Sequence, residues 1–590
     1  PATANSQRNT NQKSAPLHKK TSTHRTPQGG PKARTHQYPK FKGRGKMMHK
    51  PQMSTENKPS GKSTRPSIKI PEIAPGVVRI VPLGGVEQIG QNMTAIEYGN
   101  DIIIVDAGIQ FSTEDTPGVD FIIPNTKYLE ERKDKIRGMF ITHGHLDHIG
   151  AIPYIIEKIG NPPIYSREFG AIMIQKRNEE FPHLPKTKMN IVGKDEVFRI
   201  GEMAIRTFPI SHTIPDSMGL IIETPLGEIV FIEDVRVDNV KGVPTEEEVE
   251  QYARFKGKKV LLLTMDSTSI EKPGFSLSEN TVVKNIEPII KEVNARLIIG
   301  TFASQVERIN AIVDIADKYG KKVVMEGRSM KSNIEIAKQL GIIKNKNLIA
   351  IEDIGNYPPN KIVMIVTGAQ GEEFAALARM ANKTHKQIAL NDTDTILLSS
   401  SIIPTNHASI VKLKNNLYKS EARIITYLDS DVHASGHGNR EELRWIHDQI
   451  DYKYFIPLHG EHYMLRMHAE MAQSRGIPKE NIIVPNNGSI IEIYDNGNKI
   501  RKLKEEAPNE LMTVDGFNIG DTQEFVIRDR KMLAQDGIFI VMAIVDPRTG
   551  KLKKSPDIIS RGFVYLKESQ ELLRQARIIV KQTIEEKTQN

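Results

Sequence analysis

From residue 71 onward the chain carries a series of short apolar runs that read as strands. Residues 77–83, 92–98 and 102–105 come first, and 139–142 read as the end of a buried strand leading to a helix that starts near 149–152. Further strands are predicted over 205–210, 229–232, 261–265 and 454–458. Between 279 and 430 the rhythm changes. Helices predicted over 279–293, 304–319, 330–340 and 374–381 alternate with apolar strands at 297–299, 323–325, 362–366 and 395–398. Such βα alternation predicts a doubly wound domain with a parallel sheet. After residue 500 the pattern thins. Residues 501–514 read as a linker, and 515–590 hold two strands (537–545 and 562–566) and an amphipathic helix (569–586). Two strands and one helix make a poor independent core, so this small α/β unit is expected to be cut short at Asn590 or completed by docking, as a stabilising cap or a dimerisation element.

Chemistry gathers where the strands end. Asp106, Asp234 and Asp266 each stand at the mouth of an apolar strand, which suggests a sheet whose ends face one cleft. His143, His145, Asp147 and His148 fall within six residues. A helix would scatter them, because only i and i+3/i+4 share a face; a loop after a strand can aim all four at one point. His212 and His459 again follow apolar strands. Imidazoles with carboxylates suit zinc or manganese. Asp234 is the natural bridging ligand, since a carboxylate spans two cations and an imidazole does not, and Asp106 is placed to orient a ligating histidine. In His433-Ala434-Ser435-Gly436-His437, small residues let the backbone approach an anion and donate N–H groups. Ligand-type residues thus precede and follow the βα stretch, which marks it as an insertion.

Composition narrows this further. The 590 residues suggest several domains, and cysteine is absent, so disulfides and Cys-based metal sites are excluded and a reducing cytosol is expected. No apolar run reaches about 18 residues and no apolar N-terminal h-region occurs, so neither a membrane span nor a signal peptide is expected. The net charge of +9 is unevenly placed: residues 1–70 carry 16 Lys/Arg against one acid, the remainder 65 against 71. That tail is too poor in apolar residues to fold alone. It is expected to be a disordered solubilising segment or a cationic arm holding RNA or a partner in a salt-sensitive way.

These motifs resemble a known family. His143-Gly-His145-Leu-Asp147-His148, His212 and Asp234 are similar to the metal-binding series of the metallo-β-lactamase fold. The inserted domain, with Asp266, His437 and His459 in series, resembles the β-CASP nucleases, and among them the bacterial ribonuclease J family. Residues 83–93, 105–108, 327–330, 367–372 and 433–438 carry the resemblance. It implies an αββα metallo-β-lactamase sandwich in two parts (71–278 and 431–500) around a doubly wound β-CASP domain (279–430), with a small α/β C-terminal domain. It further implies one metal on His143, His145 and His212, a second on Asp147, His148 and His459, Asp234 bridging, and Asp106 behind the ligands. Ser435 and His437 would bind phosphate, with His433, Ala434, Gly436, Ser267 and Thr268 around it, and His437, Asp147 and Asp266 would be catalytic. By the same resemblance, a histidine at 459 goes with RNA substrates. Three features depart from the family's pattern: Glu233 stands where Gly is expected, Pro404-Thr405-Asn406-His407 replaces Pro-Gly-Asn-Glu, and the long basic tail is not general to the family.

The expected chemistry is two-metal phosphodiester hydrolysis, in which divalent cations lower the pKa of water and neutralise the phosphate. The resemblance implies both 5′→3′ exonucleolytic cleavage, preferring a 5′-monophosphate end on single-stranded RNA, and endonucleolytic cleavage, leaving 5′-phosphate and 3′-hydroxyl. It places the protein in mRNA decay and rRNA processing in the cytoplasm, as a homodimer or homotetramer, associated with an RNA helicase or the ribosome. Zinc is the first expectation for the ions, with manganese or magnesium as alternatives. The competing readings are another metallo-β-lactamase-fold hydrolase and an inactive RNA-binding relative. The large insertion argues against the first, and competent residues at every ligand position argue against the second.

Overall fold

The computed structural model describes residues 70–587 apart from 113–115, 117, 194–195, 345–346, 370–374, 401–405, 517, 521–523 and 564–568. The basic tail therefore lies outside the described residues, as do parts of the expected 374–381 helix, the expected 562–566 strand and the 367–372 and 404–407 motifs.

Two sheets face each other. One has eight strands, in the order Lys499–Glu506, Ser489–Tyr494, Val78–Gly84, Met93–Tyr98, Asp101–Val105, Ile136–Phe140, Ile164–Ser166, Met189–Ile191. The other has six: Asp451–Leu458, Lys259–Asp266, Gly227–Ile232, Met218–Thr224, Met203–Pro209, Val197–Ile200. Side chains alternate across a strand, and here both faces are apolar. Ile80, Ile96, Ile103, Val105 and Phe140 pack between the sheets against Ile205, Leu220, Phe231, Leu262 and Ile456. Their neighbours Val81, Ala95, Ile102, Ile104 and Met139 pack outward under helices. The second sheet does the same with Phe208, Val230, Leu263 and Phe455. This is the αββα sandwich, and each fully buried Ile, Leu or Phe in it contributes roughly 1.5–3 kcal/mol.

The insertion forms its own five-stranded, all-parallel sheet, in the order Lys322–Glu326, Ile362–Val366, Leu297–Gly300, Thr395–Leu398, Arg423–Thr426. Its first strand in sequence lies at the centre, and helices cover both faces, as a doubly wound fold requires.

Some expectations change. Residues 501–506 belong to the edge strand Lys499–Glu506, and Met512–Asp515 pairs with Phe121–Ile123, so the stretch read as a linker largely adds strands. Its Lys/Glu alternation looks unstructured but suits an exposed sheet edge. Near the C-terminus, Ile538–Met542 pairs with Asp557–Arg561. Gly562, at φ 69°, ends the strand, and any Cβ on Gly537 opposite would lie 2.3 Å from its carbonyl carbon. A helix at Glu524–Asp536 was not anticipated. No helix among the described residues is long and apolar enough to cross a membrane.

Candidate metal centre

Sheet register explains why distant residues meet. Asp101–Val105 runs parallel to Ile136–Phe140, with Val105 opposite Phe140. Gly227–Ile232, Lys259–Asp266 and Asp451–Leu458 are also parallel, with Ile232 opposite Met265 and Asp266 opposite Leu458. The carboxyl ends of these strands lie on one edge of the sandwich. Asp106, Thr142, Asp234, Asp266 and His459 sit at those ends. A helix begins at Leu146, so Asp147 and His148 lie in its first turn and not in a loop.

Two donor clusters result. His145 Nδ1 lies 3.0 Å from His143 Nε2 and 3.1 Å from His212 Nε2. Asp234 Oδ2 is 3.6 Å from His143 Nε2 and 3.3 Å from His212 Nε2. The other oxygen, Oδ1, faces the second cluster, 3.1 Å from His148 Nε2 and 2.6 Å from His459 Nδ1. Asp147 Oδ2 is 3.6 Å from His148 Nε2 and 3.8 Å from His459 Nε2. Within each cluster the ligand atoms of His143, His145, His212 and Asp234, or of Asp147, His148 and His459, lie within 4.8 Å of one another. One carboxylate thus offers one oxygen to each group.

Hydrogen bonds fix the tautomers. Thr142 Oγ1–H donates to Asp106 Oδ2 (2.7 Å), so that hydroxyl oxygen accepts from His143 Nδ1–H (3.1 Å). His212 Nδ1–H donates to Gly436 O (2.7 Å), and His148 Nδ1–H to Asp106 Oδ2 (2.8 Å). In His143 and His212 the proton is on Nδ1, so the Nε2 lone pair is aimed inward, which is the form a metal requires. Burial holds His143 well below its usual pKa and takes His212 down to about 3, so both rings are neutral. Burial also disfavours charge on His148, but Asp234, Asp147 and Asp106 outweigh it and raise the pKa well above normal. The crowding of carboxylates that favours a proton there favours a divalent cation equally. This donor set fits a divalent metal centre.

Beside the clusters, His437 Nδ1–H donates to Asp266 Oδ2 (2.8 Å) and its Nε2 lies 3.7 Å from Asp234 Oδ2. Burial opposes protonation of His437, yet Asp266 and Asp234 together raise its pKa. Ser435 Oγ accepts from His437 N (3.2 Å), leaving its own proton to donate. Gly436 allows close approach, since a Cβ there would lie 2.9 Å from His212 Cε1. Other expected phosphate contacts are turned elsewhere. The Ser267 hydroxyl is buried against His468 Nδ1 (2.9 Å), Thr268 Oγ1 donates to His459 O (3.1 Å), and His433 and the Ala434 carbonyl are engaged by Arg308. Glu233 is buried, and burial raises its carboxyl pKa well above normal.

Sequence reasoning missed Asn92, Thr142, Arg308 and His468. Asn92 Nδ2 donates to Asp147 O (3.2 Å) and lies 3.1 Å from His148 Nε2. Thr142 could have been flagged as the hydroxyl before the first histidine. Arg308 and His468 each lie on the buried side of an apolar helix, where a polar residue calls for a partner.

The chain matches family models described as "Metallo-beta-lactamase superfamily" over residues 86–235, "Ribonuclease J, beta-CASP domain" over 294–417, "Zn-dependent metallo-hydrolase RNA specificity domain" over 429–485 and "Ribonuclease J C-terminal domain" over 525–590. It is 34% identical to Ribonuclease J2 of Bacillus subtilis over 514 residues, covering 87% of this chain and 92% of that protein. It is 36% identical to Ribonuclease J 1 of Streptococcus pyogenes over 511 residues, covering 86% and 90%. A crystal structure of a protein of unknown function from Enterococcus faecalis shares the fold, at 17% identity and a TM-score of 0.50, covering 70% of this chain and 100% of that one.

Proposed function

The chain belongs to the ribonuclease J family and is a metal-dependent ribonuclease, and from that premise we propose that it hydrolyses RNA at a two-ion centre, both 5′→3′ from monophosphorylated ends and internally. The observation that carries this reading is Asp234, whose two oxygens face separate donor clusters. His143, His145 and His212 would hold one ion, Asp147, His148 and His459 the other, and Asp234 both. Zinc suits these ligands first, with manganese or magnesium as alternatives. Bound ions supply Lewis acidity toward phosphate oxygens and a lowered pKa for water.

The remaining steps belong to side chains. Ser435 Oγ–H and the small-residue backbone beside it donate to the phosphate. His437, held by Asp266, carries a proton on Nε2 and delivers it to the departing 3′-oxygen. Asp106 keeps His148 in register through a hydrogen bond. A 5′-monophosphate would suit these few donors, whereas a triphosphate brings more charge than they meet. The physiological setting that fits is cytoplasmic mRNA decay and rRNA processing by a homodimer or homotetramer, with a helicase or the ribosome as partner. The basic segment 1–70 would contribute affinity through counterion release, so its deletion lowers the salt slope of RNA binding.

The test is cleavage of 5′-monophosphorylated, 5′-triphosphorylated and circular RNA with Mn²⁺ or with chelator. The expected order is monophosphate above triphosphate, with slower cutting of circles and none under chelation. Absence of cleavage by folded, metal-loaded protein contradicts the reading.

A further inference from the structure

The chain crosses between the sandwich and the inserted domain twice, near Glu279 and near His433. Both crossings meet at one guanidinium. Arg308, on the helix Val306–Lys318 of the inserted domain, is 1% exposed. Its Nε and Nη2 donate to the two oxygens of Glu279 (2.5 and 2.7 Å). Nη1 donates to Gln305 Oε1 (2.7 Å), Ser399 O (3.2 Å) and His433 Nδ1 (2.9 Å), and Nη2 also reaches Ala434 O (3.4 Å). Every donor of the fork is used, and a lysine's compact ammonium reproduces none of that planar geometry.

The network continues into the sandwich. Glu279 Oε2 lies 3.5 Å from Nη1 of Arg236, itself buried and two residues past Asp234. Arg236 N donates to Ser211 O (3.0 Å), beside His212, and Gly438 N donates to Val235 O (2.7 Å). Glu279 is therefore shared by one arginine from each domain. A guanidinium only donates, so His433 Nδ1 must accept and the ring proton sits on Nε2. Burial and then the Arg308 charge hold the His433 pKa well below normal, so the ring stays neutral.

We propose that Arg308 is a positioning residue: clamped by Glu279, which Arg236 also holds, it sets the attitude of the inserted domain and, through His433 and Ala434, the placement of the phosphate-contacting loop that ends at His437. The inference rests on the ribonuclease reading. Its role is in substrate placement and not in chemistry, since none of these groups reaches the donor clusters.

Steady-state cleavage of 5′-monophosphorylated RNA by the full chain, with metal content and thermal unfolding measured in parallel, tests it. Arg308→Lys should raise KM by about tenfold, the cost of lost charge-assisted hydrogen bonds, with metal content unchanged and kcat within about twofold. Glu279→Gln, which keeps the side chain's shape, should raise KM in the same way, and the two together should raise it by less than the product of the single effects. If Arg308→Lys fails to fold, Glu279→Gln decides alone. Unchanged KM with lowered thermal stability, or a fall in kcat at constant KM, overturns the proposal. Inactivity of the unaltered, metal-loaded protein instead overturns the ribonuclease reading beneath it.

Discussion

The two donor clusters share Asp234 but are built differently. In the first, His143 and His212 are each held by a partner on the far ring nitrogen, Thr142 Oγ1 and Gly436 O. In the second, only His148 is held, by Asp106. The ring nitrogens of His459 meet only ligand-type carboxylates among the described residues, with Nδ1 2.6 Å from Asp234 Oδ1, and its backbone sits at φ 47°. Asp147 is the more open ligand, with its side chain 29% exposed. Orientation through the far nitrogen raises ligand basicity and reduces the entropy lost on binding. The comparison teaches that the donors of the first cluster are the better preorganised, and on the two-ion reading the second would bind only as its ligands settle.

The largest expected effect lies in the first cluster. His145→Ala should lower turnover by on the order of 10³-fold or more while RNA is still bound; retained turnover would show that the ligands have been misassigned. Next comes Asp106→Asn, which removes the anion behind His148 and should cost 10–100-fold, as an order of magnitude, in metal affinity or rate. Metal titration checks it, and an unaffected affinity would mean that His148 needs no orientation. Gly436→Ala should weaken the first cluster by about tenfold, because the added methyl meets His212. An effect confined to the second cluster would reverse the comparison. The smallest expected difference is in release: under graded chelation the second cluster should empty before the first, read as two phases of metal loss. A single phase would remove the distinction between them.

How far the sequence discloses this depends on the range of each interaction. The strand-end carboxylates Asp106, Asp234 and Asp266 and the grouped His143, His145, Asp147 and His148 are visible because strand and ligand adjoin. The inserted parallel sheet is visible because every strand is apolar throughout, as burial on two faces demands. What stays hidden is pairing. Lys499–Glu506 looks like a charged linker until Ser489–Tyr494 is placed beside it. The Ser267 hydroxyl appears destined for substrate until His468, on a later helix, claims it. Thr142, Asn92 and Arg308 act through hydrogen bonds to residues 36, 56 and 125 positions away, which no local pattern encodes.

The most direct measurement of the central claim is metal stoichiometry by equilibrium dialysis against Zn²⁺ or Mn²⁺, on the unaltered chain and on His212→Ala and His459→Ala. A shared Asp234 between two clusters predicts about two ions per chain, falling to about one in each variant, with the ion left in His459→Ala the more tightly held. A single ion in the unaltered protein, or one lost only when both histidines are replaced, would contradict it.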